Sequence, residues 1–231
     1  MENKKFSPAQ IIIMLGLIGL AFYLGFSGVG SSKKEVAESQ NIEETEENLV
    51  GVDAARKVAS DMGVNIDEFN SCVEDPAMAQ KVKDQEELGS NAGVTGTPGS
   101  FVYDTVTKKA IEIGGAAPLD TIKSKLADLR AGKGVDIDIA PINEEDFIKG
   151  NNEARYVVME WSDYECPFCG RFQESVNKLV EEDTDVKWVY RQFPLDSLHP
   201  NTREKSIAAL CVGKIAGNDA FWQFSDILLL Q

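Results

Sequence analysis

The passage from Tyr156 to Cys169 constrains the fold of this 231-residue chain more than any other part of it. Tyr156-Val157-Val158-Met159 is a continuous apolar run, and Trp161 extends it. Such a run, without polar alternation, reads as a strand buried on both faces. A sharp turn and then a helix, from about 167 to 182, follow. Cys166-Pro167-Phe168-Cys169 lies at the junction. Cys166 therefore sits at a helix N-terminus, where the dipole and free N–H groups favour a thiolate. Cys169 is one helical turn away, close enough for a disulfide. Pro167 suits the first turn because its missing N–H is not needed there. The chemistry that uses this arrangement is thiol–disulfide exchange, with attack by one thiolate and resolution by its partner. A zinc knuckle also uses two such cysteines but needs a second pair at suitable spacing. Cys72 and Cys211 are isolated from each other and from the motif, so no metal site is expected.

The rest of the pattern mixes helices and strands. Helices are expected at 52–62, around Phe69 and Cys72 with Asn65 or Asp67 as cap, and at about 76–92 behind Asp75 and Pro76. Gly93–Gly99 is a turn-rich break. Two short strands follow, Ser100–Tyr103 and Ala110–Ile113, then a helix at about 118–130. Ala131–Gly134 is a flexible joint. Val135–Ile139 alternates apolar and acidic residues, the period of a half-buried strand. Val186–Arg191 reads as another strand. Two helices close the chain, at about 201–217 and 219–230, with Asn218 able to cap the second. The fold class is α/β or α+β.

The net charge of −15 opposes nucleic-acid binding, since a phosphate backbone needs a Lys/Arg surface. The single histidine, His199, excludes a His-rich metal site and reads as an exposed residue of a Pro-flanked loop. Asp163 and Glu165 flank the cysteine motif and are expected to face solvent. Glu160 interrupts the apolar strand six residues before Cys166. A carboxylate there either faces an edge or solvent, or has a partner or a task that offsets burial.

Residues 11–30 carry no charge, and as a helix they would span the roughly 30 Å hydrocarbon core. Lys4 and Lys5 precede them, which fits a cytoplasmic N-terminus over residues 1–10. The exit Ser27–Gly30 is a poor cleavage site, so an uncleaved transmembrane anchor is favoured over a signal peptide. Residues 31–49 contain six Glu and no aromatic, the composition of a solvated tether. The remainder is then exported to a compartment where disulfides persist.

VVMEWSDYECPFCGRFQESV resembles the active-site segment of the DsbA-like thioredoxin-fold oxidoreductases. FPLDSLHPNTREKSIAALCVGKIAGNDAFWQFSDILL is similar to the helical insert that follows it in that family. GVDAARKVASDMGVNIDEFNSCVEDPAMAQKVKDQEELGSNAGVTGTPGSFV resembles the later part of the insert and the cis-proline loop. The resemblance implies a thioredoxin fold with a helical insert, an exposed nucleophile at Cys166 and a resolving thiol at Cys169, forming a redox-active disulfide. It implies that Thr97-Pro98 is the cis-proline loop, offering backbone to an extended substrate segment. Glu160 becomes a buried acid that relays protons to Cys169. Cys72 and Cys211 fall in the insert and form a structural disulfide, with two buried free thiols as the alternative. The substrates are exported polypeptides, a membrane redox partner recharges the dithiol, and no cofactor is required.

Two departures stand out. The dipeptide between the cysteines is Pro-Phe where DsbA has Pro-His, and a phenyl ring donates no hydrogen bond to a thiolate. A smaller depression of the Cys166 pKa is therefore expected, with reductase, isomerase or a non-catalytic binding module behind oxidase. The order is also reversed: a cis-proline half at 50–130 precedes the joint at 131–134 and the CxxC half at 135–231. A circular permutant, a swapped dimer and a piece of a tandem protein each account for that order.

Overall fold

The computed structural model describes residues 49–229. The cytoplasmic segment 1–10, the anchor 11–30 and all of the tether but Leu49 lie outside the described residues. Among the described residues, no helix is long and apolar enough to cross a membrane.

Three helices open the described chain: α1 (Gly51–Asp61), α2 (Ile66–Val73) and α3 (Pro76–Asn91). Local chemistry sets two of their starts. The Asn65 side chain accepts from the N–H groups of Asp67 and Glu68, and the Asp75 side chain accepts from Ala77 with Pro76 behind it. Strands β1 (Gly99–Asp104) and β2 (Lys109–Glu112) form a hairpin, and α4 (Leu119–Arg130) follows. Next come β3 (Val135–Asp136), β4 (Phe147–Gly150), β5 (Tyr156–Ser162), α5 (Pro167–Glu182) and β6 (Val186–Gln192). Helices α6 (Thr202–Ala216) and α7 (Asn218–Leu229) complete the described residues.

The strands form one sheet in the order β3-β2-β1-β5-β6-β4. β5 and β6 are parallel, joined by α5, and β1 runs antiparallel to β5 from Gly99↔Trp161 to Asp104↔Tyr156. The sheet therefore takes strands from both sides of the 131–134 joint within one chain. The period of two divides β5 between two cores. Val158 packs with Phe172, Val176 and Trp188 on the α5 side. Val157, Met159 and Trp161 pack with Phe101, Val94 and Ile139 on the other. This alternation sends Glu160 to the α5 face.

Two expectations need correction, and one strand is added. The alternating stretch Val135–Ile139 gives only a two-residue strand, and both strand residues are exposed. Ile137 and Ile139 instead cover the second face of the sheet. The following carbonyls, of Ala140 and Pro141, turn to the Arg191 guanidinium, which also pairs with Asp146 at 2.8 Å, so they are not free for a ladder. Strand β4 has no counterpart in the sequence reading; FIKG is four residues long and only partly buried. Asn218 lies at the start of α7, but its amide serves β4. Its Oδ1 accepts from the Ile148 N–H at 2.8 Å and its Nδ2 donates to the Ile148 carbonyl at 2.9 Å. That covers the outer edge of the sheet.

Gly213 fixes how α6 meets this edge. A Cβ there would stand 2.1 Å from Cζ of Phe147, whose ring stacks on Phe221 at 3.9 Å. Gly to Ala in a helix interior ordinarily stabilises by about 0.8–1 kcal/mol. Gly213→Ala should instead lower stability by about 1–2 kcal/mol, because overpacking outweighs propensity. The midpoint of urea unfolding measures it.

Candidate active site

The site is assembled by strand register. β1 starts opposite the end of β5, since Gly99 pairs with Trp161. The residues before β1 therefore lie beside those after β5. These are the Thr97–Pro98 peptide, which is cis, and the turn leading to Cys166. In its thiol form Cys166 donates from Sγ to the Thr97 carbonyl at 3.4 Å.

Cys166 is the N-cap of α5, with extended backbone and no side-chain cap bond. Its N–H donates to the Asp163 carbonyl, and its own carbonyl accepts from Cys169. Both cysteines are free thiols here, the reduced form of the pair. The expected exposed nucleophile is a correction: Cys166 is only 6% exposed, and Cys169 is fully buried. The neighbouring Phe168 is the exposed member of the motif at 52%, and Arg171 covers its ring at 4.6 Å.

The Cys169 thiol, hydrogen-bonding to Cys166, does most to lower the Cys166 pKa. The Thr97 side chain and the N–H groups of Cys169 and Phe168 add to it against the effect of burial, and the result is about 5. The backbone of the Pro-Phe dipeptide thus supplies part of what its side chain cannot. Burial pushes Cys169 the opposite way, and the adjoining Cys166 and Glu160 charges push it further. This asymmetry is the one that thiol–disulfide exchange needs between an attacking and a resolving thiol.

Glu160 lies on the buried face of β5 and is 1% exposed, so the edge or solvent alternative is excluded. The Trp188 indole N–H donates to its Oε2 at 2.9 Å, and Oε1 has no protein partner. Burial raises its pKa to about 8, against the smaller effects of Ser162 and Trp188. The carboxyl is therefore mostly protonated at neutral pH. Buried Tyr164 and Tyr190 stack beside it with their phenols held protonated.

Asp163, Glu165 and His199 also depart from expectation. Asp163 is fully buried, and His199 Nδ1 lies 2.9 Å from its Oδ2. Glu165 is partly buried; desolvation opposes its ionisation, but Lys205 at 3.0 Å and Asn201 outweigh it and hold its carboxyl below the usual range. The sequence signals were present: a carboxylate three residues before the dithiol, and the single histidine of the chain. Away from this site, Cys72 of α2 and Cys211 of α6 are joined in a disulfide.

Sequence comparison matches the DSBA-like thioredoxin domain over residues 36–127 and a thioredoxin family over residues 142–231. The chain is thus similar to a DsbA-like thioredoxin domain in one part and to a thioredoxin family in another. Curated proteins similar to this chain include Na(+)/H(+) antiporter NhaA 3 of Salinispora tropica, 34% identical over 49% of this chain and 17% of that protein. Na(+)/H(+) antiporter NhaA 1 of Salinispora arenicola is 32% identical over the same shares. The chain thus spans 17% of the length of these two relatives. Among solved structures, DsbA2 of Pseudomonas aeruginosa is similar at 30% identity and a TM-score of 0.36, over 40% of this chain and 50% of that one.

Proposed function

We propose that this chain is a membrane-anchored, extracytoplasmic thiol–disulfide oxidoreductase that forms or exchanges disulfides in exported polypeptides. The observation that carries the reading is the asymmetry of the dithiol. Cys166 caps a helix, lies 3.4 Å from the Thr97 carbonyl and is held low, while buried Cys169 is held high. A low Cys166 stabilises the reduced form, and a dithiol with a stabilised reduced form is the stronger oxidant. That favours oxidation of substrates over their reduction.

The steps balance as follows. A substrate thiolate attacks Sγ of Cys166 in the oxidised pair. The Cys166–Cys169 bond breaks, and Cys169 leaves as a thiolate in a site that disfavours its charge. Glu160, protonated at neutral pH, is the acid that returns a proton to it. A second substrate thiolate attacks the substrate sulfur of the mixed disulfide and releases Cys166. The substrate loses two electrons and the dithiol gains them. In this reading a membrane redox partner restores the disulfide, with residues 11–30 as anchor and 31–49 as tether. The order of the halves is read as a circular permutation, supported by the pairing of β1 with β5 in a single chain.

The test is equilibration of the pair with glutathione, followed by reaction with a reduced, unfolded disulfide protein. The expected result is one disulfide delivered per oxidised chain, and none from Cys166→Ala. Cys166 alkylated no faster than a free thiol at neutral pH, with no oxidation of substrate, would identify a binding module instead.

A further inference from the structure

Asp163 has two features that its place in the sequence does not explain. Its carboxylate is fully buried, which is costly unless every oxygen is met. Four donors meet it. Oδ1 accepts from the Glu165 N–H at 2.8 Å and the Thr202 hydroxyl at 2.6 Å. Oδ2 accepts from the Leu195 N–H at 2.8 Å and faces His199 Nδ1 at 2.9 Å. Leu195 and His199 belong to the segment joining β6 to α6, Thr202 opens α6, and Glu165 belongs to the turn before Cys166. The main chain of the same residue holds Cys166 itself, whose N–H donates to the Asp163 carbonyl at 3.2 Å.

This bears on the thiol because of how Cys166 is activated. Cys166 is the N-cap of α5, and the positive end of a helix favours a thiolate. That effect falls off within the first turn, so it depends on where the preceding turn holds the sulfur. An N-cap residue is ordinarily anchored by its own side chain, which accepts from the first helical turn. Cys166 makes no such bond, so its anchoring falls on the preceding turn.

We propose that Asp163 is a positioning residue for Cys166. Its carboxylate, locked by Thr202, His199 and Leu195, fixes the turn that holds the Cys166 sulfur at the N-terminus of α5, beside the Thr97 carbonyl. The inference rests on the reading of Cys166 as the nucleophile, and it adds that the β6–α6 segment and the start of α6 set the reactivity of the dithiol.

The test follows alkylation of Cys166 by iodoacetamide against pH in the full chain, with the Cys166–Cys169 pair reduced. Thr202→Val removes the 2.6 Å bond while keeping the volume of the side chain and the charge of Asp163. The half-maximal rate should move up by about one pH unit, so that reaction near pH 5 is roughly fivefold slower. Near pH ~9.5 the rates should coincide, because both thiols are then ionised. Thr202→Ser should restore the wild-type curve. Asp163→Asn should move the curve the same way, although loss of an anion by itself favours a thiolate. Should Asp163→Asn fail to fold, the Thr202 pair decides alone. Variants that lower the unfolding midpoint but leave the pH–rate curve in place would reduce Asp163 to a loop staple and overturn the proposal. A slow wild-type Cys166 would overturn the oxidoreductase reading instead.

Discussion

Glu160→Gln should stabilise the protein at alkaline pH and leave it nearly unchanged in acid. In the unfolded chain Glu160 titrates near its ordinary value of 4.5, and in the folded protein burial raises it to about 8. Below the lower value both states hold the proton, and the wild type loses nothing. As pH rises toward 8 the unfolded chain gives up its proton while the folded state keeps it, so stability falls across that window and then levels. At about 1.4 kcal/mol for each pH unit, the loss reaches as much as about 5 kcal/mol. A glutamine has no proton to hold and still accepts from the Trp188 indole. Urea unfolding of both proteins from about pH 4 to 9 should therefore give curves that agree in acid and diverge upward for the variant. Parallel curves would show that the folded carboxyl titrates normally.

The same substitution should slow turnover while it raises stability. Cys169 is buried and its thiol is pushed up, so in the proposed cycle its thiolate must gain a proton when it leaves Cys166. Glu160 is the buried acid whose charge bears on it. General acid–base help of this kind contributes about 10²–10⁴-fold. A gain in stability with a loss in rate separates a proton-transfer role from simple damage to the core.

Much of the site is legible in sequence because local chemistry fixes it. Strand β5 is a run of apolar residues, and α5 starts where Pro167 permits a first turn. Neither depends on distant residues. Asp163 and His199 were misread because their exposure is decided across 36 residues of chain. A carboxylate beside a turn looks solvated until a loop closes over it. Strand β4 was invisible for the same reason. Its residues are only partly buried, and what makes it a strand is the ladder to β6 together with the amide of Asn218, 70 residues away. The alternation in 135–139 was a true apolar signal assigned to the wrong element. Those side chains do pack on the sheet, but Arg191 takes the carbonyls that follow.

Loss of the Cys72–Cys211 disulfide should be the largest purely structural effect. The bond links cysteines 139 residues apart, one on α2 and one on α6. It joins the two sides of the 131–134 joint, and the closed loop contains the whole sheet and the dithiol. Cross-linking a loop of that length restricts the unfolded chain, and the loop-closure model gives about 5 kcal/mol, with removals typically costing about 2–5. Helix contacts do not compensate, because Phe69, Ala208, Ala209 and Val212 pack around the bond in either state without shortening the unfolded chain. Changing both cysteines to Ala should thus lower the stability of the oxidised protein by about 2–5 kcal/mol in urea unfolding. Alkylation of Cys166 should keep its pH profile, since that is set by α5, Thr97 and the Asp163 turn. An unfolding midpoint equal to that of the wild type would show that packing between α2 and α6 holds the two halves without the bond.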